Sequence, residues 1–492
     1  MRNEIRFLRG GREVRLSGFS PTLTLLDYLR LHERALGTKE GCAEGDCGAC
    51  TVVLRRCVDG HVTYAPVNSC ILFAGQADGA EVIAVDDLAN GGLHPVQQAM
   101  VESHGSQCGF CTPGFVMALF GLYHAPRKGP LTRAAVNDFI AGNLCRCTGY
   151  RPIVDAALAA CTALPQDRFA EDEPEAVRRL AALADDADVL VGDDRRFFAA
   201  PASIASLADI YASHPDAVLV SGATDVGLWI TKQLRDLPKI IWLGRVHGLD
   251  AISDEPDAVT FGATVTHQAA MPHLAAIDPD LGALLRRFAG RQVRTVGTIG
   301  GNIANGSPIG DTPPALIALG STLILQLGYA TRTLPLEDFF IAYGRQDRRP
   351  GEFVRAVRVA KLGPDDCFRC YKISKRFDSD ISAVMGAFRF TRNGDHIAAA
   401  RIAFGGMAAT PRRAAGAEAA LAGVRLSDPT TWSAALTAVD ADFSPLDDQR
   451  GSARYRRDTA RALLRKALIE AAGTPTRETR VVDIREDAVV GR

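Results

Sequence analysis

The sequence predicts a multidomain α+β protein, and three observations carry that reading. At about 100–200 residues per domain, a chain of 492 residues holds three or four domains. Residues 1–90 read as strand-rich with one helix, whereas 91–164 switch to helical spacing. From residue 196 onward, short strands alternate with helices and glycine-rich turns. Apolar residues make up 47% of the chain, charged residues 23%, and the formal net charge is −1, which suits an ordinary globular protein with several cores. Only eight basic residues are lysine, and the arginines are scattered, so no nucleic-acid partner is expected. The start of the chain has no apolar run suited to a signal peptide, and no stretch approaches the ~20 apolar residues of a membrane span. A cytoplasmic setting without membrane attachment is expected.

Taken in order, Ile5, Phe7 and Leu8 followed by Val14 and Leu16 predict a hairpin around Gly10-Gly11. Residues 24–31 predict a helix. Residues 51–54 predict a strand leaving a glycine-rich loop. Within 91–164, the stretches 94–104, 114–123, 133–141 and 153–164 predict four helices, with Pro113 and Pro130 at helix or turn starts. Residues 165–195 are acidic, with Asp167, Glu171, Asp172, Glu173, Asp185, Asp186, Asp193 and Asp194, and read as a linker with room for one helix. The 196–364 region reads as α/β. In 365–492, strands at 383–390 and 398–404 precede a helical end.

Twelve cysteines need explaining, because disulfides are not expected in a cytoplasmic chain. Cys42, Cys47 and Cys50 form C-x4-C-x2-C, and Cys70 follows. This is the plant-type ferredoxin spacing for a [2Fe–2S] cluster. Four thiolates must converge on two irons, so the loop has to curl, and Gly45 and Gly48 permit the φ values and close approach that this needs. Backbone N–H groups can then point at the sulfurs and raise the reduction potential. Zinc is the alternative, but its ligands usually come as short-spaced pairs, from which this loop departs.

Cys108 and Cys111 open one helix and Cys145 and Cys147 another. Helix N-termini favour thiolates and an anionic cluster. Alone, such a set is more often a zinc site or a redox-active pair; beside a ferredoxin-like loop, a second [2Fe–2S] cluster is the better reading. Cys57, Cys161, Cys367 and Cys370 remain, and plain buried or half-buried cysteines are preferred over a metal pair at 367 and 370. Histidines are scattered in no hydrolase order, and His267 reads as structural or solvent-facing.

No two glycines in the middle of the chain are separated by a single residue, and no Gly-Lys pair occurs, so neither a G-x-G-x-x-G fingerprint nor a P-loop is present. Two glycine segments stand out. One is Leu219, Val220, Ser221, Gly222, Ala223, Thr224, Asp225 and Val226, ending at Gly227, on a strand-to-helix junction. The other is Thr298, Ile299, Gly300, Gly301 and Asn302, followed by Asn305, Ser307 and Asp311. Such turns can offer backbone N–H groups to a pyrophosphate, although composition alone reads them as ordinary tight turns.

The motifs Gln107-Cys-Gly-Phe-Cys-Thr-Pro-Gly114 and Asn143-Leu-Cys-Arg-Cys-Thr-Gly-Tyr150 closely resemble the iron–sulfur region of the xanthine oxidase family of molybdenum hydroxylases. The resemblance runs over about residues 1–475. It implies that Cys42, Cys47, Cys50 and Cys70 ligate one [2Fe–2S] cluster, and Cys108, Cys111, Cys145 and Cys147 a second. It implies that both glycine segments bind FAD, with Phe288 beside the flavin, Asp311 near the ribityl chain or ring edge, Val354 as an apolar contact, and Lys372 further on. Thr224 and Asp225 fill a Thr-acidic pair of the family. Phe377 and Ser379 depart from charged residues often found there, which leaves the NAD contacts unassigned.

The fold the resemblance implies has a ferredoxin-like β-grasp [2Fe–2S] domain (1–90), a four-helix [2Fe–2S] domain (91–164) and a linker (165–195). An α/β FAD domain of the non-Rossmann molybdenum-hydroxylase type (196–364) and an α+β C-terminal flavoprotein domain (365–492) follow. The resemblance leaves no stretch of residues 1–492 for the family's molybdenum-cofactor domain, which is expected on a separate chain. The expected partner is therefore a large molybdenum-cofactor subunit, in a heterodimer or a dimer of heterodimers, as in bacterial xanthine dehydrogenases. Related carbon monoxide dehydrogenases and benzoyl-type reductases usually split the iron–sulfur and flavin parts into separate chains, so their fusion favours the xanthine dehydrogenase type. The implied function is electron transfer from molybdenum, through the cluster of Cys108 and then that of Cys42, to FAD and then NAD, in oxidation of hypoxanthine and xanthine to urate. No residue of this chain is assigned a catalytic role. Two readings stay open: the same subunit serving an aldehyde, another N-heterocycle or carbon monoxide, and a non-catalytic cluster carrier.

Overall fold

The computed structural model describes residues 1–481 except Lys128, so the end of the 365–492 stretch lies outside the described residues. The chain forms two compact units. Met1–His247 and Ala289–Gly297 make the first, and Gly248–Phe288 with the chain from Thr298 onward makes the second.

The first unit begins with the expected hairpin, Ile5–Arg9 against Arg12–Leu16. Ile5–Arg9 also pairs in parallel with Glu81–Ile83, which continues antiparallel to Thr51–Val58 and then His61–Asn68. The apolar residues at alternate strand positions, Ile5, Phe7, Val52 and Leu54, are buried on one face, as a half-buried sheet requires. Thr24 caps a short helix, Leu25–Asp27, which widens into a π-type turn, Tyr28–His32, within the stretch expected to be helical. The four expected helices are Pro95–Glu102, Thr112–Tyr123, Arg133–Ile140 and Arg151–Ala160. Pro113 sits in the first turn of its helix, where its missing N–H removes no bond.

Residues 165–195 are not a bare linker with a single helix. They carry two helices, Arg168–Glu171 and Glu173–Leu183, and the strand Val189–Asp193. Ala176, Leu180 and Leu183 recur at helical spacing and are buried, with Leu180 and Leu183 against Leu8. The Phe169 side chain is buried, and its carbonyl accepts from the Tyr64 hydroxyl at 3.3 Å. The acidic residues mark only the wet face of this segment. Val189–Asp193 then starts a second sheet with Arg196–Ala200, Lys239–Trp242 and Val218–Val220.

The second unit has a five-stranded sheet in the order Ile252–Asp254, Ala258–Gly262, Glu352–Ala360, Thr322–Leu327 and Ala330–Pro335. Helices His267–Ile277, Pro279–Arg286, Ile299–Asn305 and Thr312–Leu319 supply the other side of its core. The two late strands expected from sequence lie within Val384–Asn393 and His396–Gly405, in a sheet with Asp366–Ile373 and Arg412–Arg413. Helices Ala415–Leu421, Ser433–Asp442 and Ala453–Ala471 contribute buried residues to the core of this sheet. No described helix is long and apolar enough to cross a membrane.

Candidate functional site

The first cysteine set lies in the loop before Thr51–Val58. Gly45 and Gly48 adopt φ of +77° and +69°, the left-handed region that favours glycine. The curl turns backbone donors onto sulfur. Cys42 N–H donates to Cys47 Sγ and Cys47 N–H to Cys42 Sγ, both at 3.3 Å, while Glu44 N–H reaches Cys42 Sγ at 3.4 Å. Cys50 and Cys70 Sγ stand 3.2 Å apart and are buried. Hydrogen bonding from Cys47, helped by backbone N–H groups, holds the Cys42 thiol down to about 4 despite burial. The Cys47 and Cys70 thiols are pushed up, first by hydrogen bonding to Cys42 and Cys50 and then by burial.

The second set sits at two helix starts. Cys111 is the N-cap of Thr112–Tyr123, and Cys145 and Cys147 precede Tyr150, the N-cap of Arg151–Ala160. Burial, then Cys145, pushes the Cys111 thiol up to about 12. Burial works to raise Cys145, but the Thr148 hydroxyl, 3.3 Å from its sulfur, and backbone donors bring it down. Hydrogen bonding to Cys108 raises Cys147. The sulfurs again form two facing pairs, Cys111 with Cys145 and Cys108 with Cys147. The Tyr150 hydroxyl accepts from Cys145 N–H at 3.0 Å and steadies this loop. Cys108 and Cys147 are exposed, unlike Cys50 and Cys70.

The pairing bears on which metal group fits. Among the described residues, the group of three or more possible ligand atoms that all lie within 4.8 Å of one another is His94, His124 and Asp167, and no cysteine set forms one. A single zinc ion at about 2.3 Å from each of four sulfurs would need them all within ~4 Å of one another. Two pairs held apart suit two irons, with two sulfurs for each.

The two cysteine loops touch. Leu144 N–H donates to the Cys47 carbonyl at 2.9 Å. Asn143 Nδ2 donates to the Gly48 carbonyl at 3.1 Å, and Gln292 Nε2 donates to Asn143 Oδ1 at 2.7 Å and to Thr51 Oγ1 at 3.1 Å. Gly114 lets the second loop's helix approach, since a Cβ there would stand 2.2 Å from the Gly48 carbonyl oxygen. Neither Gln292 nor Thr51 was singled out by sequence; nothing in their spacing marks them.

Of the residues expected to contact FAD, Leu219 to Val226 lie in the first unit. They link Val218–Val220 to the helix Val226–Thr231, with Ala223 at φ +56°. A Cβ on Gly222 would stand 2.0 Å from the Val296 carbonyl oxygen, so only glycine fits. Gln76 Nε2 and Trp242 Nε1 both donate to the Ser221 carbonyl, at 2.8 and 3.2 Å. The helix that follows rests on the first cysteine loop: Leu228 packs against Cys50 and Cys70, and Lys232 Nζ donates to the Cys42 carbonyl.

The remaining expected FAD residues lie in the second unit. Thr298 caps Ile299–Asn305, its Oγ1 accepting from Gly301 N–H at 3.1 Å, and Gly300 lies against Ala263. Asn302 Oδ1 accepts from the Thr312 hydroxyl at 2.5 Å. Asp311 and Lys372, which sequence could not pair, form a buried ion pair at 2.5 Å, and the Ser382 hydroxyl donates to the other Asp311 oxygen at 2.5 Å. Val354 is buried on Glu352–Ala360, and the Phe288 ring lies 4.3 Å from buried His267, which is therefore structural rather than solvent-facing. Cys367 and Cys370 lie three apart on Asp366–Ile373 and face different cores, so they do not form a ligand pair.

Three protein families match the chain in order. They are a [2Fe-2S] binding domain at residues 83–158, the FAD binding domain in molybdopterin dehydrogenase at 194–361, and the CO dehydrogenase flavoprotein C-terminal domain at 369–471. The chain is thus an iron–sulfur flavoprotein. Xanthine dehydrogenase of Emericella nidulans is 32% identical over 93% of the chain and 38% of that protein. Xanthine dehydrogenase/oxidase of Rattus norvegicus is 31% identical over 82% of the chain and 34% of that protein. The chain therefore spans little over a third of these relatives. Carbon monoxide dehydrogenase from Hydrogenophaga pseudoflava matches with a TM-score of 0.53 and 27% identity, over 56% of this chain and 97% of that chain. Quinoline 2-oxidoreductase from Pseudomonas putida 86 matches with a TM-score of 0.50 and 27% identity, over 56% of this chain and 95% of that chain. Together the three domains and these relatives place the chain in the molybdenum hydroxylase family.

Proposed function

We propose that this chain is the iron–sulfur and FAD subunit of an NAD-dependent xanthine dehydrogenase in the cytoplasm. Its partner would be a large molybdenum-cofactor subunit that oxidises hypoxanthine and xanthine to urate, in a heterodimer or a dimer of heterodimers. The observation that carries the electron-transfer role is the grouping of eight thiols into two sets of two facing pairs. Cys42, Cys47, Cys50 and Cys70 would hold one [2Fe–2S] cluster in the 1–90 domain. Cys108, Cys111, Cys145 and Cys147 would hold the other in the 91–164 domain. Leu219 to Val226, Phe288, Thr298 to Asn302, Asp311, Val354 and Lys372 would contact FAD. When bound, the clusters supply one-electron carriers and FAD supplies two-electron exchange with NAD. The chain's own residues place these groups, direct N–H donors at the thiolates and keep Cys50 and Cys70 of the first set buried. The xanthine dehydrogenase relatives support the substrate; the carbon monoxide and quinoline oxidoreductase structures support a second reading, the equivalent subunit for another substrate.

Absorption and EPR spectra of the purified chain, before and after NADH, test this. Flavin bands, bleaching by NADH and two reduced-cluster signals are expected. Bound zinc, or clusters with no flavin and no response to NADH, would refute the assignment.

A further inference from the structure

We propose that the first unit holds a binding site for a phosphate group in the cleft where residues 168–179 cover the strand-rich domain. The cleft has a volume of about 560 Å³ and is lined by Arg55, Glu81, Asp87, Arg168, Phe169 and Arg179, beside the Gly10-Gly11 turn. That is the size of a small-molecule pocket, about 300–1,000 Å³. It shares no residue with the cysteine sets or the flavin segments.

Arg55 is the anchor. Its side chain is 3% exposed, and Glu81 holds its Nε and Nη2 at 2.7 and 2.5 Å. The rings of Phe169 and Tyr64 flank the guanidinium at 5.6 and 5.9 Å. Its Nη1 is buried and makes no hydrogen bond, while the Tyr64 hydroxyl lies close to the same guanidinium. A buried guanidinium N–H without an acceptor is unfavourable, and an anion in the cleft would satisfy it.

The other lining charges leave room for that anion. Glu81 is engaged by Arg55, and Asp87 accepts from Arg9 and from Ala84 N–H. Arg168 Nη2 donates to the Asp87 carbonyl, and Arg179 Nη2 to the Gly11 carbonyl. A guanidinium carries five N–H donors, so one backbone bond each leaves both able to bind further acceptors. Asp172, 3.6 Å from Arg55 Nη2, is the carboxylate that would oppose an anion, and its side chain is 46% exposed, so water screens it. The guanidinium forks of Arg168 and Arg179, with Arg55 Nη1 as a further donor, suit the several oxygens of a phosphate better than a single carboxylate.

Isothermal titration of the full, cofactor-loaded chain with pyrophosphate tests the site, and ADP in a parallel titration separates a free phosphate from a nucleotide-borne one. One saturable site is expected. The double variant Arg168→Ala/Arg179→Ala, altered on the outer side of the cleft, should weaken it by roughly 10-fold or more through lost charge-assisted bonds, with the absorption spectrum and melting temperature retained. Arg55→Lys keeps a charge on Glu81 but removes the Nη1 donor, and should weaken binding as well. No saturable binding at millimolar ligand, or equal affinity in the variants, would overturn the proposal.

Discussion

Replacing Asn143 with alanine should loosen both cysteine loops at once, because Asn143 and Gln292 form a buried clamp between them. Both residues are almost fully buried, at 2% and 1% exposure. The Gly48 carbonyl loses the Asn143 donor but keeps Thr51 N–H at 3.1 Å and Thr51 Oγ1 at 2.6 Å, so its loss is small. Gln292 Nε2 loses its 2.7 Å acceptor and keeps only Thr51 Oγ1. A buried donor or acceptor left unmade costs about 1–3 kcal/mol, so Asn143→Ala should destabilise the first unit by about 2–3 kcal/mol. Asn143→Asp should cost more, since a carboxylate oxygen would then face the Gly48 carbonyl. Denaturant unfolding of the loaded chain measures both. In a double-mutant cycle with Gln292→Ala, the clamp predicts a coupling of about 1–2 kcal/mol, within the usual range for residues in contact. If the two losses simply add, to within about 0.5 kcal/mol, the residues do not act as one clamp and the reasoning fails.

Cys50→Ser and Cys147→Ser should each remove one of two reduced-cluster EPR signals and leave the other; loss of both signals from either change would contradict the division into two sets. Lys372→Met leaves Asp311 with only the Ser382 hydroxyl, and breaking such a buried pair should cost roughly 3–5 kcal/mol in the second unit's denaturant midpoint, partly recovered by adding Asp311→Asn. Burial works to raise the Asp167 carboxyl, but hydrogen bonds from His124 and His94, at 3.0 and 2.6 Å, outweigh it and hold the folded value below the usual carboxylate range. A carboxyl lowered in the fold stabilises at every pH above its unfolded value near ~4 and loses that contribution as pH falls further, so melting temperatures of Asp167→Asn and the parent should converge below about pH 4.

What could be read from the sequence was the short-range part. The Gly10-Gly11 hairpin, the strand starting at Thr51 and the four helices of 91–164 each depend on spacing within a few residues, and each is present. The cysteine spacings are short-range too, which is why both sets stood out. Their arrangement as facing pairs is not, because it depends on where two loops meet. Gln292 and Asn143 are 149 residues apart, so no window of sequence contains the clamp. Residues 165–195 misled for a different reason. Acidic residues dominate their composition, but Ala176, Leu180 and Leu183 fall on one helical face, and three apolar residues are enough to dock a short helix.

The glycine segment at 219–227 joins the two kinds of information. Composition alone reads it as a tight turn, and it is one. Gly222 and Gly227 are the residues that let it fit: a Cβ on the first would strike the Val296 carbonyl, and on the second the Ile71 carbonyl at 2.6 Å. Ile71 adjoins Cys70, and Leu228, next along the helix, packs on Cys50 and Cys70. A side chain at Gly227 would therefore push the helix off the first cysteine loop. Overpacking of this kind typically costs 1–3 kcal/mol, and its physical effect here would be to separate the turn from the sulfurs. The glycines thus act less by what they bind than by how closely they bring this turn to the first four thiols.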